Sequence, residues 1–184
     1  MKINEVIELK TGETLVLRTP EVNEAHDVLK LYMETATETN YMGREPEDVK
    51  ITLEEEKKAI ADAIEDPRKI FIVAYIKGEA IGWVSVMPMH HDYVKYRHRA
   101  EFSIAILEQH WGKGIGTELL KISIQAAKKA GFLQIELEVV VTNPRAFHVY
   151  EKFGFIHYGK RPRAFKLKDG SFVDENLMML ILGI

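Results

Sequence analysis

Ala100-Glu-Phe-Ser-Ile-Ala-Ile106 is followed within a few residues by Trp111-Gly-Lys-Gly-Ile-Gly-Thr117, and that in turn by an amphipathic helical pattern. The first segment reads as a strand and the second as a tight turn at the start of a helix. Glycine at positions 112, 114 and 116 lets the backbone turn sharply and leaves N–H groups facing outward with no Cβ in the way. Such a turn suits an anion, because the positive end of the helix dipole adds to the bare donors. A phosphate or pyrophosphate is the favoured ligand, with Lys113 as one mobile positive charge nearby. The alternative is a glycine turn that only reverses the chain.

Two familiar phosphate loops do not fit. The P-loop requires Gly, four residues, then Gly-Lys-Ser/Thr, whereas Lys113 is followed by Gly114. The dinucleotide fingerprint requires glycine at its sixth place, which here is Thr117. Glu136 lies beyond the loop where a ribose-binding acid is expected, but it sits mid-strand between Ile135 and Leu137 instead of at a strand's carboxyl end.

Working outward, residues 133–141 alternate as a strand, with Leu133, Ile135, Leu137, Val139 and Val141 on one face and Gln134, Glu136 and Glu138 on the other. Between the glycine turn and this strand runs a helix with Ile115, Leu119, Ile122, Ala126 and Ala130 on its apolar side, closed by Gly131. Asn143-Pro144 is an N-cap with proline at the first helical position, ahead of a short stripe of Ala146, Phe147, Tyr150 and Phe153 that Gly154 ends. Upstream, residues 13–18 alternate as a strand, and a helix is expected over about residues 21–38. A second helix starts at the Thr52/Glu55 capping box and stops at Asp66-Pro67. Residues 69–77 and 80–86 form a hairpin about Gly78-Glu79, and residues 155–166 and 172–181 form another about Asp169-Gly170. Hairpins mixed with helical crossovers predict one α/β domain with a mixed, largely antiparallel sheet and helices packed on it.

The 184 residues suffice for one well-buried domain and are short for two, so residues 1–184 are read as a single domain. A net charge of -3 gives no general reason to expect nucleic acid or an anionic membrane as partner. No apolar run approaches a bilayer span, and the first residues lack the apolar core of a secretory signal. The absence of cysteine removes disulfides, thiol nucleophiles and thiolate metal sites together. A cytoplasmic protein is expected.

Four features stand in fixed order: the strand ending at Ile106, the Gly112-Lys-Gly-Ile-Gly116 turn, Leu137-Glu-Val-Val-Val-Thr-Asn143, and Ala146-Phe-His-Val-Tyr-Glu-Lys-Phe-Gly-Phe155. Together they resemble the GNAT family of acetyl-CoA-dependent N-acetyltransferases. The chain looks most like the group containing the ribosomal-protein N-terminal and bacterial spermidine acetyltransferases, whose final hairpin is similar to Asp169-Gly-Ser-Phe-Val-Asp-Glu-Asn-Leu-Met178. It departs from the family at Trp111, where Gln or Arg is usual. Because backbone N–H groups hold the pyrophosphate in that fold, the change need not abolish binding.

The resemblance implies helices on both faces of the sheet and a V-shaped opening between two central strands, with acetyl-CoA as cosubstrate. Pantetheine would pair in the opening with the backbone of Ile104, Ala105 and Ile106, as an added strand would. Pyrophosphate would meet the N–H groups of Gly112, Lys113, Gly114, Ile115, Gly116 and Thr117, and Asn143 would bond the pantetheine arm, cap its own helix, or do both. Tyr150 is the expected proton donor to the CoA sulfur and Glu101 the candidate base; their alternatives are a core tyrosine and a solvated surface acid. A backbone N–H near Ile106 would meet the oxyanion. No metal is required, and His90, His91 and His98 with Asp92 read as a polar loop before a metal site.

The acceptor expected is a protein or peptide N-terminal amine or a small-molecule amine. Acids over residues 34–65 would attract a cationic acceptor such as a polyamine, or form only the solvated faces of two helices. A CoA-binding module without transfer activity and a scaffolding domain are the readings from other classes. Strands after Phe155 offer edges that can pair in a homodimer.

Overall fold

The computed structural model describes residues 2–90 and 92–183. Its eight strands are β1 (Asn4–Glu8), β2 (Thr14–Arg18), β3 (Ile70–Ile76), β4 (Glu79–Pro88), β5 (Arg99–Ile106), β6 (Gln134–Val140), β7 (Ile156–Lys166) and β8 (Phe172–Ile181). The helices are α1 (Ala25–Glu38), α2 (Leu53–Glu65), α3 (Ile115–Lys129) and α4 (Pro144–Lys152). One sheet runs in the order β1-β2-β3-β4-β5-β6-β8-β7. Every neighbouring pair is antiparallel except β5 and β6, which the α3 crossover joins in parallel.

Helices cover both faces, as their apolar stripes demand. On one face Ile72, Val84, Val86 and Phe102 bury against Leu119, Leu120 and Ile124 of α3 and Tyr150 of α4. On the other, Phe71, Val73, Tyr75 and Trp83 bury against Val28, Leu31 and Tyr32 of α1 and Ile60 and Ala63 of α2. β3 therefore reads as an unbroken apolar run buried on both sides.

Three expectations need correction. β1 was not anticipated: it is an edge strand whose Val6 is exposed, so it lacks the buried alternation that marks a strand. α1 begins at Ala25, after a single 3-10 turn over Val22–Glu24. Of the β6 face, Leu133 and Val141 lie outside the strand and are exposed, and Glu136 is buried.

Candidate functional site

β5 and β6 pair only at Arg99↔Gln134, Ala100↔Ile135 and Glu101↔Glu136. Beyond that point β5 keeps its ladder with β4 and β6 keeps its own with β8, so the two strands part and leave a V. Leu107 N–H donates to Ile81 O at 3.0 Å, and the antiparallel alternation running back from it has Ala105 exchanging bonds with Trp83. Ile104 and Ile106 then turn their N–H and C=O away from β4 into the opening. Of the three residues expected to meet pantetheine through the backbone, Ile104 has both groups free there, Ile106 its N–H, and Ala105 has its own engaged.

The glycine turn lies at the mouth of this opening. Gly112 and Gly114 have φ of +83° and +89°, which favours glycine over any side chain-bearing residue. Gly114 is the N-cap of α3 and supplies no side-chain acceptor. Among the described residues, none of the N–H groups of residues 112–117 donates to a protein acceptor; the first to do so is Glu118, to Gly114 O at 3.2 Å. Six successive donors and the N-terminus of a 15-residue helix are left bare at one place. A Cβ on Gly116 would come within 3.3 Å of Ile106 Cδ1, so this glycine also allows the turn to sit close against β5.

Charge around the turn differs from expectation. Lys113 is a paired charge: its ammonium is 3.1 Å from Glu13 just ahead of β2, and that contact, after the hydroxyl of Thr11, holds the Glu13 carboxyl below its usual pKa. Arg145 is an unpaired cation beside the turn. Its Nη2 lies 3.5 Å from where a Cβ on Gly112 would be, its guanidinium is 5.9 Å from the centre of the Trp111 ring, and it has no acidic partner among the described residues. Arg145 follows the Asn143-Pro144 cap, so a cation on the open side of that first turn was the available signal.

Trp111 donates its indole N–H to Ile106 O at 2.7 Å, occupying one of the two carbonyls that face the opening. Its ring stacks on Tyr41, with centroids 6.2 Å apart and planes 20° from parallel. Asn143 caps α4 by accepting from Ala146 N–H at 3.1 Å, which leaves its amide N–H₂ free of that role.

Tyr150 is buried against Phe102, edge to face at 6.0 Å, and against Phe155. Burial pushes its phenol pKa up, and its hydroxyl has no hydrogen-bond partner among the described residues. Glu101 is exposed at the apex of the V. It pairs across the ladder with Met87, whose side chain packs on the α1/α2 face, so Glu101 and Tyr150 approach the opening from opposite sides of β5. Glu101 lines a cleft of about 370 Å³ with His90, Glu136, Glu138 and Tyr158. Glu136 is held by a two-pronged contact with Arg99 at 2.5 and 2.7 Å, and Glu138 by Arg161 at 2.5 Å. Glu101 alone of these acids has no cationic partner among the described residues.

The loop between α1 and α2 overlies the same region. Tyr41 stacks on Trp111, a Cβ on Gly43 would touch the Phe165 ring of β7 at 3.2 Å, and Arg44 lies 5.5 Å above the Trp83 ring. Lys168, at the β7–β8 turn, reaches Glu45 at 3.1 Å and Glu47 at 3.4 Å beside a cleft of about 550 Å³. Five of the ten acids over residues 34–65 are thus paired with lysines, Glu34 with Lys30, Glu54 with Lys57 and Asp62 with Lys69 beside the two on Lys168. Glu56 is buried and accepts a long 3.5 Å bond from Tyr32 OH, contrary to the solvated face expected for it.

His90 packs on Tyr93 and Tyr96, and no group of three metal-ligating side chains occurs among the described residues; His91 lies outside them. His148 contacts Glu151 at 3.0 Å and His157 packs on Phe147.

The acetyltransferase (GNAT) family model matches residues 26–155. The N-alpha-acetyltransferase of Sulfurisphaera tokodaii is 37% identical over 94 residues, 46% of this chain and 55% of that protein. The spermidine N(1)-acetyltransferase of Vibrio cholerae is 32% identical over 113 residues, 60% of this chain and 62% of that protein. The chain therefore spans little more than half the length of these curated relatives. A GNAT-family acetyltransferase from Streptococcus pneumoniae superposes with a TM-score of 0.86 at 25% identity, over 91% of this chain and 99% of that one. YncA of Salmonella typhimurium, solved with its cofactor acetyl-CoA, superposes at 0.79 with 19% identity over 92% and 95%, a likeness of fold.

Proposed function

The chain belongs to the acetyltransferase (GNAT) family, and from that premise we propose that it transfers the acetyl group of acetyl-CoA to a primary amine. The observation that carries this reading is the row of six unpaired N–H groups over residues 112–117, set at the mouth of the β5/β6 opening. A pyrophosphate supplies the acceptors these donors lack, and Arg145 adds a cation beside Gly112. The pantetheine arm then lies in the V against the free backbone groups of Ile104, with the Ile106 N–H left for the thioester carbonyl and the Asn143 amide at the end of β6.

The amine loses its proton to Glu101 or to water held there, since an ordinary amine is mostly protonated at neutral pH. Its lone pair attacks the thioester carbon, and the resulting oxyanion accepts from Ile106 N–H. The C–S bond breaks as the amide forms, and Tyr150 hands its hydroxyl proton to the departing thiolate. Burial suits Tyr150 to that role by keeping the phenol protonated. The nitrogen gives up its second proton as the amide forms, and that proton restores Tyr150; the products are the acetylated amine, the free CoA thiol and the one proton that the ammonium first gave to Glu101 or water.

The acceptor is a peptide or protein N-terminus or a small-molecule amine; a polyamine is the second reading, favoured by the spermidine-acetylating relative. The same reading takes residues 1–184 as one catalytic domain working in the cytoplasm, with neither nucleic acid nor membrane as partner. Two copies pair along β7, the edge strand opposite β1, where Ile156 and Tyr158 are exposed. The test is calorimetry with acetyl-CoA followed by a screen of amines for thiol release. Absence of both cofactor binding and release would sink the proposal, and binding without release would leave a CoA-binding module.

A further inference from the structure

Resting on the transferase reading, we propose that the acceptor amine carries a carboxylate close by, as a free amino acid does, and that Arg44 with the Trp83 indole holds it. Arg44 stands in the α1–α2 loop with its guanidinium over the Tyr32 ring at 4.9 Å and the Trp83 ring at 5.5 Å. A guanidinium packed on ring faces keeps its in-plane N–H groups free to donate. Those of Arg44 have no acceptor: its Nε is buried and unbonded, and no acid lies within ion-pair distance among the described residues.

A second donor is idle beside it. Trp83 is 5% exposed, and its indole N–H is buried with no acceptor. Leaving one such donor unpaired costs about 1–3 kcal/mol, more where it is charged, so two at one place point to a missing acceptor group. The group that satisfies both a guanidinium and an indole is a carboxylate, which takes two donors on its oxygens.

The position fits an acceptor. Trp83 pairs across the ladder with Ala105, whose neighbours Ile104 and Ile106 turn their backbone into the opening. Ala105 packs on the same α1/α2-side cluster as Trp83, the face from which Glu101 also reaches the apex. Phe71, Tyr32 and Leu107 surround the pair with apolar surface, which strengthens any charge contact made there. Glu56, whose carboxyl feels the Arg44 charge, is bonded by Tyr32 and lies outside ion-pair distance of the guanidinium. A polyamine offers two ammonium groups to a guanidinium and is disfavoured at this place.

Thiol release is compared for L-phenylalanine, its amide, and 2-phenylethylamine, with the full chain and saturating acetyl-CoA. The inference expects kcat/KM for phenylalanine to exceed that for both others by at least about tenfold, the worth of one charge-assisted bond. Arg44→Gln should collapse that preference while leaving acetyl-CoA affinity unchanged, and Arg44→Lys should keep part of it. The Trp83 indole N–H resonance, assigned through Trp83→Phe, gives a readout free of turnover: phenylalanine should shift it and phenylethylamine should not. Equal rates for the three amines with Arg44→Gln silent overturn the inference and leave the transferase reading standing. An Arg44-dependent shift with no thiol release does the reverse.

Discussion

The two ends of the opening are made of different material. At the end proposed for the cofactor the bare groups are main-chain N–H over residues 112–117, and the sequence contributes chiefly by leaving side chains out at Gly112, Gly114 and Gly116. At the end proposed for the acceptor they are side chains from separate elements: Arg44 from a loop, Trp83 from β4, Glu101 from β5 and Tyr150 from α4. A backbone site is generic, since any sequence that bends this way presents the same donors. A side-chain site is particular, and specificity within a fold is written there. The two ends touch where Tyr41 stacks on Trp111.

Replacing Tyr150 by Phe separates the ends most sharply. The ring keeps its edge-to-face contact with Phe102 and loses only a hydroxyl that has no protein partner, so the fold should hold. Loss of a general acid typically lowers the chemical step by about 10²- to 10⁴-fold. We expect a fall of that size in kcat, with calorimetric affinity for acetyl-CoA unchanged. A rate within about twofold of the parent would return Tyr150 to the core and send the leaving-group proton elsewhere.

Gly114→Ala probes the other end. There is open space for the added methyl, so any effect comes from the backbone, which must hold φ near +89° in a residue that resists it. The left-handed region costs an L-residue roughly 1–2 kcal/mol, and relief of that strain would tilt the bare N–H groups out of line. Acetyl-CoA should bind about tenfold more weakly. kcat at saturation should change little. A fall in kcat at unchanged affinity would mean that the turn serves the chemistry and not the phosphates.

How much of each end was legible follows from the same difference. The glycine turn, the α3 stripe and the Asn143-Pro144 cap are local patterns, so their physics is complete within a few residues of sequence. The splay of β5 from β6 came only through family likeness, because no residue in either strand marks where pairing stops after Glu101. Lys113 reads as a free charge in sequence because its partner Glu13 is a hundred positions away, and nothing local to Arg145 places it beside Gly112. Tyr41 and Arg44 lie in an aperiodic loop where no repeat distinguishes a working side chain from a solvated one. Glu56 is the exception that was readable: with Ile60 and Ala63 it stands on the buried stripe of α2 at helical spacing, and the surrounding run of acids obscured it.

Trp111→Phe tests the point where the ends meet. Phenylalanine preserves a ring against Tyr41 and removes the N–H that occupies Ile106 O in the free protein. If pantetheine needs that carbonyl, the bond stabilises only the free state, by about 1 kcal/mol. The variant should then melt slightly lower without ligand and bind acetyl-CoA about fivefold more tightly. Weaker binding would instead place the indole against the cofactor.

The smallest effect is expected at Glu56, on α2 against Tyr32. Burial pushes its carboxyl above the usual range, a shift that the Tyr32 hydroxyl bond and the Arg44 charge oppose. A folded pKa raised above the unfolded one gives a stability contribution present in acid and lost as pH climbs through the folded value. Glu56→Gln keeps an acceptor for Tyr32 and removes the titration. Its melting temperature should match the parent's below the ordinary carboxylate pKa of about 4.3 and exceed it by a growing margin toward neutrality. A margin that stays flat with pH would show that Glu56 keeps its charge when folded. Arg44 would then be its counter-ion, and the carboxylate proposed for the acceptor would have a competitor already in place.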